Sequence, residues 1–362
     1  MKRILLFIDS LGAGGAQRQL TGLAVMLKRR GYAVKVVTYY DHPFYKYILD
    51  DDGCEYECLN VDSKLCLPRL VRCIRKFKAD VLISYQTDPN ALACVAAALT
   101  GVKLIVSERN THLSIGLKDR LIFRLYRLAD SVVPNSYSEG DFIRDNFKFL
   151  KNKISVISNF VDLDLFTPKG GGAGRPRRIL VVASVKASKN TKRFIRAVGR
   201  AKERGADIDV TWYGVNPATT DLPANVRYAD ECAKLASQLG LDGCVRLLPK
   251  RRDIQAAYRE ADIFCLPSLF EGTPNVICEA MASALPVAAS RVCDNAHYVK
   301  EGVNGMLFNP GDIDGMADVL VRMAAMADDE LVLWGRRSRK LTEELCSAET
   351  FVGKYIKIID SL

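Results

Sequence analysis

Two glutamates eight residues apart, Glu271 and Glu279, bracket a turn and a helix start in the stretch Leu269-Phe-Glu-Gly-Thr-Pro-Asn-Val-Ile-Cys-Glu-Ala-Met281. Thr273 suits the cap position and Pro274 the first helical position, where its missing N–H costs nothing. The first amides of such a helix and the positive end of its dipole stabilise a phosphate. Glu279 lies about 7 to 8 Å further along the axis at 1.5 Å per residue, and its side chain leans back towards the helix start. A carboxylate so placed can accept two hydrogen bonds from a ribose diol whose phosphate sits at the amides, with Glu271 facing whatever the phosphate carries. The same spacing also fits Glu279 pairing within its own helix and Glu271 as a solvated turn residue, and spacing alone leaves both readings open.

Two further segments follow what read as the first strands of two halves. Gly12-Ala-Gly14-Gly15-Ala-Gln17 allows close backbone approach to an anion at a helix start, or is simply a tight strand-to-helix turn. The dinucleotide fingerprint needs a third glycine where Gln17 stands, so a nicotinamide cofactor is weakly supported. Ser184-Val-Lys186-Ala-Ser-Lys189-Asn190 offers lysines to a diphosphate, or two solvated loop charges. Asp-x-Asp pairs, a metal–diphosphate signal, occur at Asp50/Asp52, Asp162/Asp164, Asp207/Asp209 and Asp312/Asp314, in contexts too unrelated to be informative. His42, His112 and His297 stand apart from any nucleophile-elbow Ser or Cys, so no hydrolase triad is expected and each reads as a surface or packing residue.

Positioning these segments requires strands that end where the loops begin. Short β-rich runs at 3–8, 33–39, 55–59, 81–84, 104–107, 132–135 and 154–157 alternate with helical patterns, and the alternation restarts at 179–183, 208–213, 244–248, 263–266, 286–289 and 306–308. The pattern predicts an α/β chain of two doubly wound Rossmann-like domains facing each other across a cleft, with ligands outside the carboxyl ends of the strands. The Gly/Pro-rich stretch from Pro168 to Pro176 marks the boundary, giving residues 1–168 and 177–345 as domains. Residues 346–362 form a closing helix able to pack back on the first domain. A length of 362 residues suits two cores, and 49% hydrophobic with 26% charged residues excludes disordered, fibrous and collagen-like chains.

The net charge of +10 is spread over the chain and shows no basic stripe with interleaved aromatics, so nucleic acid is not an expected partner. Eleven irregularly spaced cysteines, mostly inside apolar runs, point to a reducing cytosol, and no zinc or other metal site is expected. The apolar run 4–8 ends at Asp9, so neither a signal peptide nor a membrane span is expected. Two stretches mix bases with apolar residues: 64–78, with Lys64, Arg69, Arg72, Arg75, Lys76 and Lys78, and 115–128, with Lys118, Arg120, Arg124 and Arg127. Both suit an interfacial helix on anionic lipid, or an ordinary helix packed on a sheet with a solvated basic face.

Taken together, the segments resemble the E-x7-E glycosyltransferases of the retaining GT-B class, family 4. The resemblance is carried by Ala261-Asp-Ile-Phe-Cys-Leu-Pro-Ser268, Glu271 to Ala282, Leu285-Pro-Val-Ala-Ala-Ser290 and Glu301-Gly-Val-Asn-Gly-Met-Leu-Phe-Asn-Pro310. Gly14-Gly15-Ala16, Val133-Pro-Asn-Ser136 and Ile157-Ser-Asn-Phe-Val-Asp-Leu-Asp-Leu-Phe166 extend it over essentially the whole chain. It implies that Glu279 holds the donor ribose and Glu271 the transferred sugar, and that Gly272 joins Thr273, Pro274, Asn275 and Val276 in binding the donor, the last four at its diphosphate. Lys189 matches the family's diphosphate lysine, while Gly14 and Gly15 approach the donor from the other domain. Ser184 stands where many members carry an Arg, for which Lys186 could compensate. Ser107-Glu-Arg109-Asn110 stands where many members have a His near the reacting sugar, which makes Arg109 its nearest equivalent, Asn110 acceptor-side, and His112 a poorer substitute.

By the same resemblance, the donor is a nucleotide-sugar, UDP first and GDP next, used as a substrate with no cofactor or metal. The acceptor is a glycan or a polyprenyl-diphosphate-linked glycan, in cell-surface polysaccharide, lipopolysaccharide or glycolipid synthesis. The expected location is the cytoplasm, peripheral on the inner membrane face. The alternatives are a non-catalytic two-domain nucleotide- or sugar-binding protein and, less well supported, a nicotinamide-dependent oxidoreductase.

Overall fold

The computed structural model describes residues 1–61, 63–112, 114–168, 176–215 and 223–362. Contacts divide them into two compact units, Met1–Phe160 with Ala348–Leu362, and Val161–Ser347. In the first unit the strands are β1 (Arg3–Ile8), β2 (Ala33–Thr38), β3 (Glu55–Cys58), β4 (Val81–Tyr85), β5 (Lys103–Glu108) and β6 (Ser131–Pro134). The helices between them are α1 (Gly15–Arg29), α2 (Lys46–Asp51), α3 (Ser63–Phe77), α4 (Thr87–Thr100), α5 (Leu117–Leu125) and α6 (Tyr137–Asn146). All strand pairs are parallel, in the order β3-β2-β1-β4-β5-β6.

The second unit holds β7 (Arg177–Val182), β8 (Ile208–Val215), β9 (Val245–Pro249), β10 (Ile263–Leu266), β11 (Val287–Ser290) and β12 (Gly305–Phe308), again parallel, in the order β12-β11-β10-β7-β8-β9. Its helices are α7 (Thr191–Glu203), α8 (Pro223–Gln238), α9 (Ile254–Glu260), α10 (Asn275–Ala282), α11 (Asn295–Tyr298), α12 (Ile313–Ala325) and α13 (Asp328–Cys346), and α14 (Ala348–Ser361) returns to the first unit. In each sheet the strand order reverses beside the first strand, between β1 and β4 and between β7 and β10, which opens a crevice at the carboxyl ends of those strands.

Both faces of each sheet are covered, so alternate strand residues enter different cores. Leu5 and Phe7 of β1 pack with Leu70 and Ile74 of α3, whereas Ile4, Leu6 and Ile8 pack with Leu20 and Leu23 of α1 and with Phe351 and Tyr355 of α14. Trp212 of β8 lies with Phe194 of α7 and Met316 of α12, and Phe264 of β10 with Ile277 of α10.

Two expectations are corrected. Residues 154–157 form no strand; Ile154 makes one bridge to Val132, and the amides of Ser155 and Ile157 donate to Val132 and Pro134, too short a run for a ladder beside the edge strand. The unit boundary falls at 160/161 rather than at 168. Val161 and Phe166 are buried in the second unit, where Phe166 packs edge-on against Tyr258 and Arg339 donates to the carbonyls of Leu163 and Phe166. Of the expected linker, residues 169–175 lie outside the described residues. All eleven cysteines are free thiols.

Candidate active site

In the second unit the site is built from the loops after β7 and β10, on either side of the order reversal. The loop after β7 runs through Ser184 into a short 3-10 turn, Ala187–Lys189, and ends at Asn190, whose backbone is left-handed at φ 62°. Asn190 tolerates that region and is fixed in it, being buried with its amide donating to the Pro310 carbonyl at 2.8 Å. Room for the Ser184 backbone comes from Gly214 on β8. At its φ of +146° an added Cβ would stand 2.0 Å from the Ala183 carbonyl oxygen and 3.0 Å from the Ser184 nitrogen.

The loop after β10 crosses beside it, with Leu269 N–H donating to Ser188 O at 2.9 Å. Lys189 Nζ meets Glu271 Oε1 at 2.5 Å, both side chains being mostly buried. The expected diphosphate cation and the expected sugar-facing carboxylate thus hold each other. Lys186 is half-buried one turn earlier in the same loop.

Helix α10 starts one residue later than expected. Pro274 is its cap (φ −80°, ψ 73°), because the Pro274 carbonyl accepts the amides of Ile277 and Cys278 while the Asn275 amide turns back to the Thr273 carbonyl at 2.9 Å. Among the described residues the Val276 amide has no backbone acceptor. Glu279 is buried in the first turns of α10, and Tyr258 Oη donates to its Oε2 at 3.1 Å. Tyr258, on α9, carried no signal in the sequence; it holds the Glu279 carboxylate, whose role the spacing alone had left open.

The remaining predicted residues lie in the first unit. Gly14 caps α1, and its carbonyl accepts the Arg18 amide at 3.1 Å. Gly15 opens the helix, and Gln17, at the place of the missing third glycine, donates to Asp9 Oδ1 at 3.0 Å. Arg109 is engaged within the first unit. Its guanidinium lies over the Tyr85 ring at 4.0 Å and donates to Asn159 Oδ1 at 2.8 Å and Tyr355 Oη at 2.7 Å.

The loop holding Arg109 and Asn110 is organised by Glu108, buried at the end of β5. It accepts from Thr87 Oγ1, Tyr126 Oη and the amides of Arg109 and Asn110, and burial pushes its carboxyl up. A cavity of about 360 Å³ opens at the carboxyl ends of β1 and β4, lined by Asp9, Gln86, Asp88, Asn110, His112 and Lys118 among others. His112, read from the sequence as a surface or packing residue, lines this cavity while its ring packs against Phe123 and Phe142. Its Nδ1 lies 2.7 Å from the buried Glu139, which lifts its pKa above the usual imidazole value, and no motif announced that partner. The Asp-x-Asp pairs are scattered: Asp50 on α2, Asp162 turned to the amides of Asp164 and Leu165, Asp209 within β8 and Asp312 capping α12.

Two doubly wound parallel sheets, with a Lys/Glu pair, a helix start and a second Glu at the reversal point of the second sheet, define the GT-B class of glycosyltransferase. Residues 13–165 match the family "Glycosyltransferase Family 4" and residues 176–326 the family "Glycosyl transferases group 1". The chain belongs to this group 1, family 4 set of glycosyltransferases. It is 25% identical over 281 residues, 73% of this chain and 70% of the relative, to the UDP-Gal:alpha-D-GlcNAc-diphosphoundecaprenol alpha-1,3-galactosyltransferase of Escherichia coli. It is 26% identical over 310 residues, 80% of this chain and 81% of the relative, to the N-acetylgalactosamine-N,N'-diacetylbacillosaminyl-diphospho-undecaprenol 4-alpha-N-acetylgalactosaminyltransferase of Campylobacter jejuni. Among solved structures, HepE of Anabaena in complex with UDP superposes with a TM-score of 0.83 at 19% identity, covering 100% of both chains.

Proposed function

We propose that this glycosyltransferase moves a sugar, with retention at the anomeric carbon and without a metal, from a nucleotide-sugar to a hydroxyl of a lipid-linked glycan. UDP is the favoured nucleotide and GDP the next. The observation that carries the reading is the Lys189–Glu271 pair beside the start of α10, with Glu279 behind it. An incoming donor exchanges that ion pair for better partners: Lys189 turns to the diphosphate oxygens, and Glu271 accepts from sugar hydroxyls. Glu279, aimed by Tyr258, accepts from the ribose diol.

The charge that develops on the leaving diphosphate is met by Lys189 and the amides at the start of α10. The acceptor hydroxyl attacks from the face the leaving group departs, and its proton passes to a diphosphate oxygen, so neither glutamate is nucleophile or base. The polyprenyl-diphosphate acceptors in the names of the two relatives support a lipid-linked acceptor, cell-surface glycan synthesis, and a cytoplasmic location at the inner membrane face. Among the described residues no helix is long and apolar enough to cross a membrane, so that location would be peripheral.

The test is transfer from a panel of UDP- and GDP-sugars to polyprenyl-diphosphate-linked sugars, run in EDTA and again after excess magnesium or manganese is added, with the product anomer read by NMR. An axial-to-axial outcome in EDTA is expected. Inversion, or activity that returns only with magnesium or manganese, would overturn the reading; nucleotide binding with no turnover of any donor would favour a non-catalytic binding protein.

A further inference from the structure

The two basic, apolar stretches at 64–78 and 115–128 look alike in sequence, and the fold uses them differently. In α3 the apolar side is spent on the core: Cys66, Leu70, Cys73, Ile74 and Phe77 are all buried against the first sheet. What α3 shows to solvent is a row of bases with Leu65 at its edge.

In α5 only Ile122 and Phe123 are buried, and the outer face keeps its leucines in water. Leu117 is 82% and Leu121 61% exposed, and being four apart they stand one above the other on the helix. Leu128, 48% exposed, continues the patch in the 3-10 turn that follows, and Phe149 joins it at 39%, with Arg127 over its ring at 4.2 Å. Arg120 and Arg124, exposed and also four apart, flank the leucines and make no ion pair among the described residues. The single acid of α5, Asp119, is turned away to the Gly116 amide at 2.9 Å.

An outward face of leucine, phenylalanine and unpaired arginine fits an anionic bilayer surface, where the bases meet lipid phosphates and the apolar side chains enter the acyl boundary. Lys118 and Asp119 on the same helix line the cavity at the ends of β1 and β4.

We infer that the outer face of α5, rather than α3, seats this protein on anionic lipid and so holds the polar cavity beside the membrane that carries the acceptor. The inference rests on the lipid-linked reading above for the acceptor, but the docking surface stands or falls separately. The experiment uses the full chain, floated with vesicles of phosphatidylcholine alone or mixed with phosphatidylglycerol, and measures nucleotide-sugar hydrolysis in vesicle-free buffer on the same preparations.

Wild-type protein is expected to float with the anionic vesicles only. Leu117→Ser/Leu121→Ser and Arg120→Gln/Arg124→Gln should each lose tenfold or more of that partition, while Arg72→Gln/Arg75→Gln/Lys76→Gln on α3 keeps it. All of these variants alter exposed side chains, so hydrolysis in buffer should stay at the wild-type level. Wild-type protein that hydrolyses donor but does not float, α5 variants that float normally, or loss in the α3 variant instead would overturn the surface. So would a wild-type dimer that the α5 variants convert to monomer, which would assign the face to a second copy. Flotation without turnover of any donor would leave the surface standing and overturn the transferase mechanism.

Discussion

The ion pair between Lys189 and Glu271 leaves neither charge unpaired in a mostly buried loop. In the proposed function, a donor supplies better partners for both. Lys189→Ala and Glu279→Gln therefore each remove one charge-assisted contact worth roughly 1.5 to 3 kcal/mol, which predicts at least a tenfold loss of kcat/KM for transfer; Lys189→Ala, which leaves the Glu271 carboxylate unpaired, should also lower the unfolding midpoint of the substrate-free protein. Full kcat/KM in both variants would defeat the site. His112 makes a second prediction. Glu139 raises its folded pKa above the ordinary imidazole value, so the pair's contribution to stability is complete below about pH 6.5 and fades as pH rises through the elevated value. The gap in urea midpoint between wild type and His112→Gln should shrink as pH rises above about 6.5. A gap that stays constant would show that only ring packing against Phe123 and Phe142 had been lost.

At the scale of elements, the site depends on two adjacent strands delivering their loops at one height, and Gly214 is where that arrangement is most easily disturbed. A methyl group there would strike the Ala183 carbonyl oxygen at 2.0 Å, on a backbone at φ +146° that L side chains rarely adopt. Gly214→Ala is expected to cost about 1 to 3 kcal/mol and, by pushing the Ser184–Lys189 loop off α10, to raise the donor KM. An unchanged KM in folded protein would uncouple the two loops. The strands were legible in the sequence because parallel strands covered on both faces read as unbroken apolar runs, as in Ile263–Leu266, where every residue is buried. The E-x7-E segment was legible as a turn opening a helix because helix-start signals are local, although the cap falls on Pro274 rather than Thr273. What could not be read is decided by partners far along the chain. Arg109 is held by Tyr355, 246 positions away, Glu279 is aimed by Tyr258, and α3 and α5 look alike in sequence although α3 buries most of its apolar residues and α5 leaves Leu117 and Leu121 exposed.

For the molecule as a whole, the chain's return to its first unit makes the two units unequal as folding bodies. Residues 161–347 hold their own sheet and both cores around it, whereas Met1–Phe160 depends on α14 to cover one face of its sheet. Phe351, Val352, Tyr355 and Ile359 are all buried there, and Tyr355 additionally hydrogen-bonds Tyr85 at 2.8 Å and Arg109 at 2.7 Å. At roughly 1.5 to 3 kcal/mol for each large apolar side chain, losing the four removes about 6 to 12 kcal/mol. That is comparable to the entire stability of a typical domain. A chain ending at Ser347 is therefore expected to unfold its first unit and keep its second. The two tryptophans, Trp212 and Trp334, both belong to the second unit. Tryptophan emission of the truncated chain should stay native and melt in one cooperative step, while far-UV circular dichroism loses the helices of the first unit. Dichroism equal to that of the full chain would show that α14 is dispensable. A red-shifted tryptophan emission would show that the second unit cannot stand without the first.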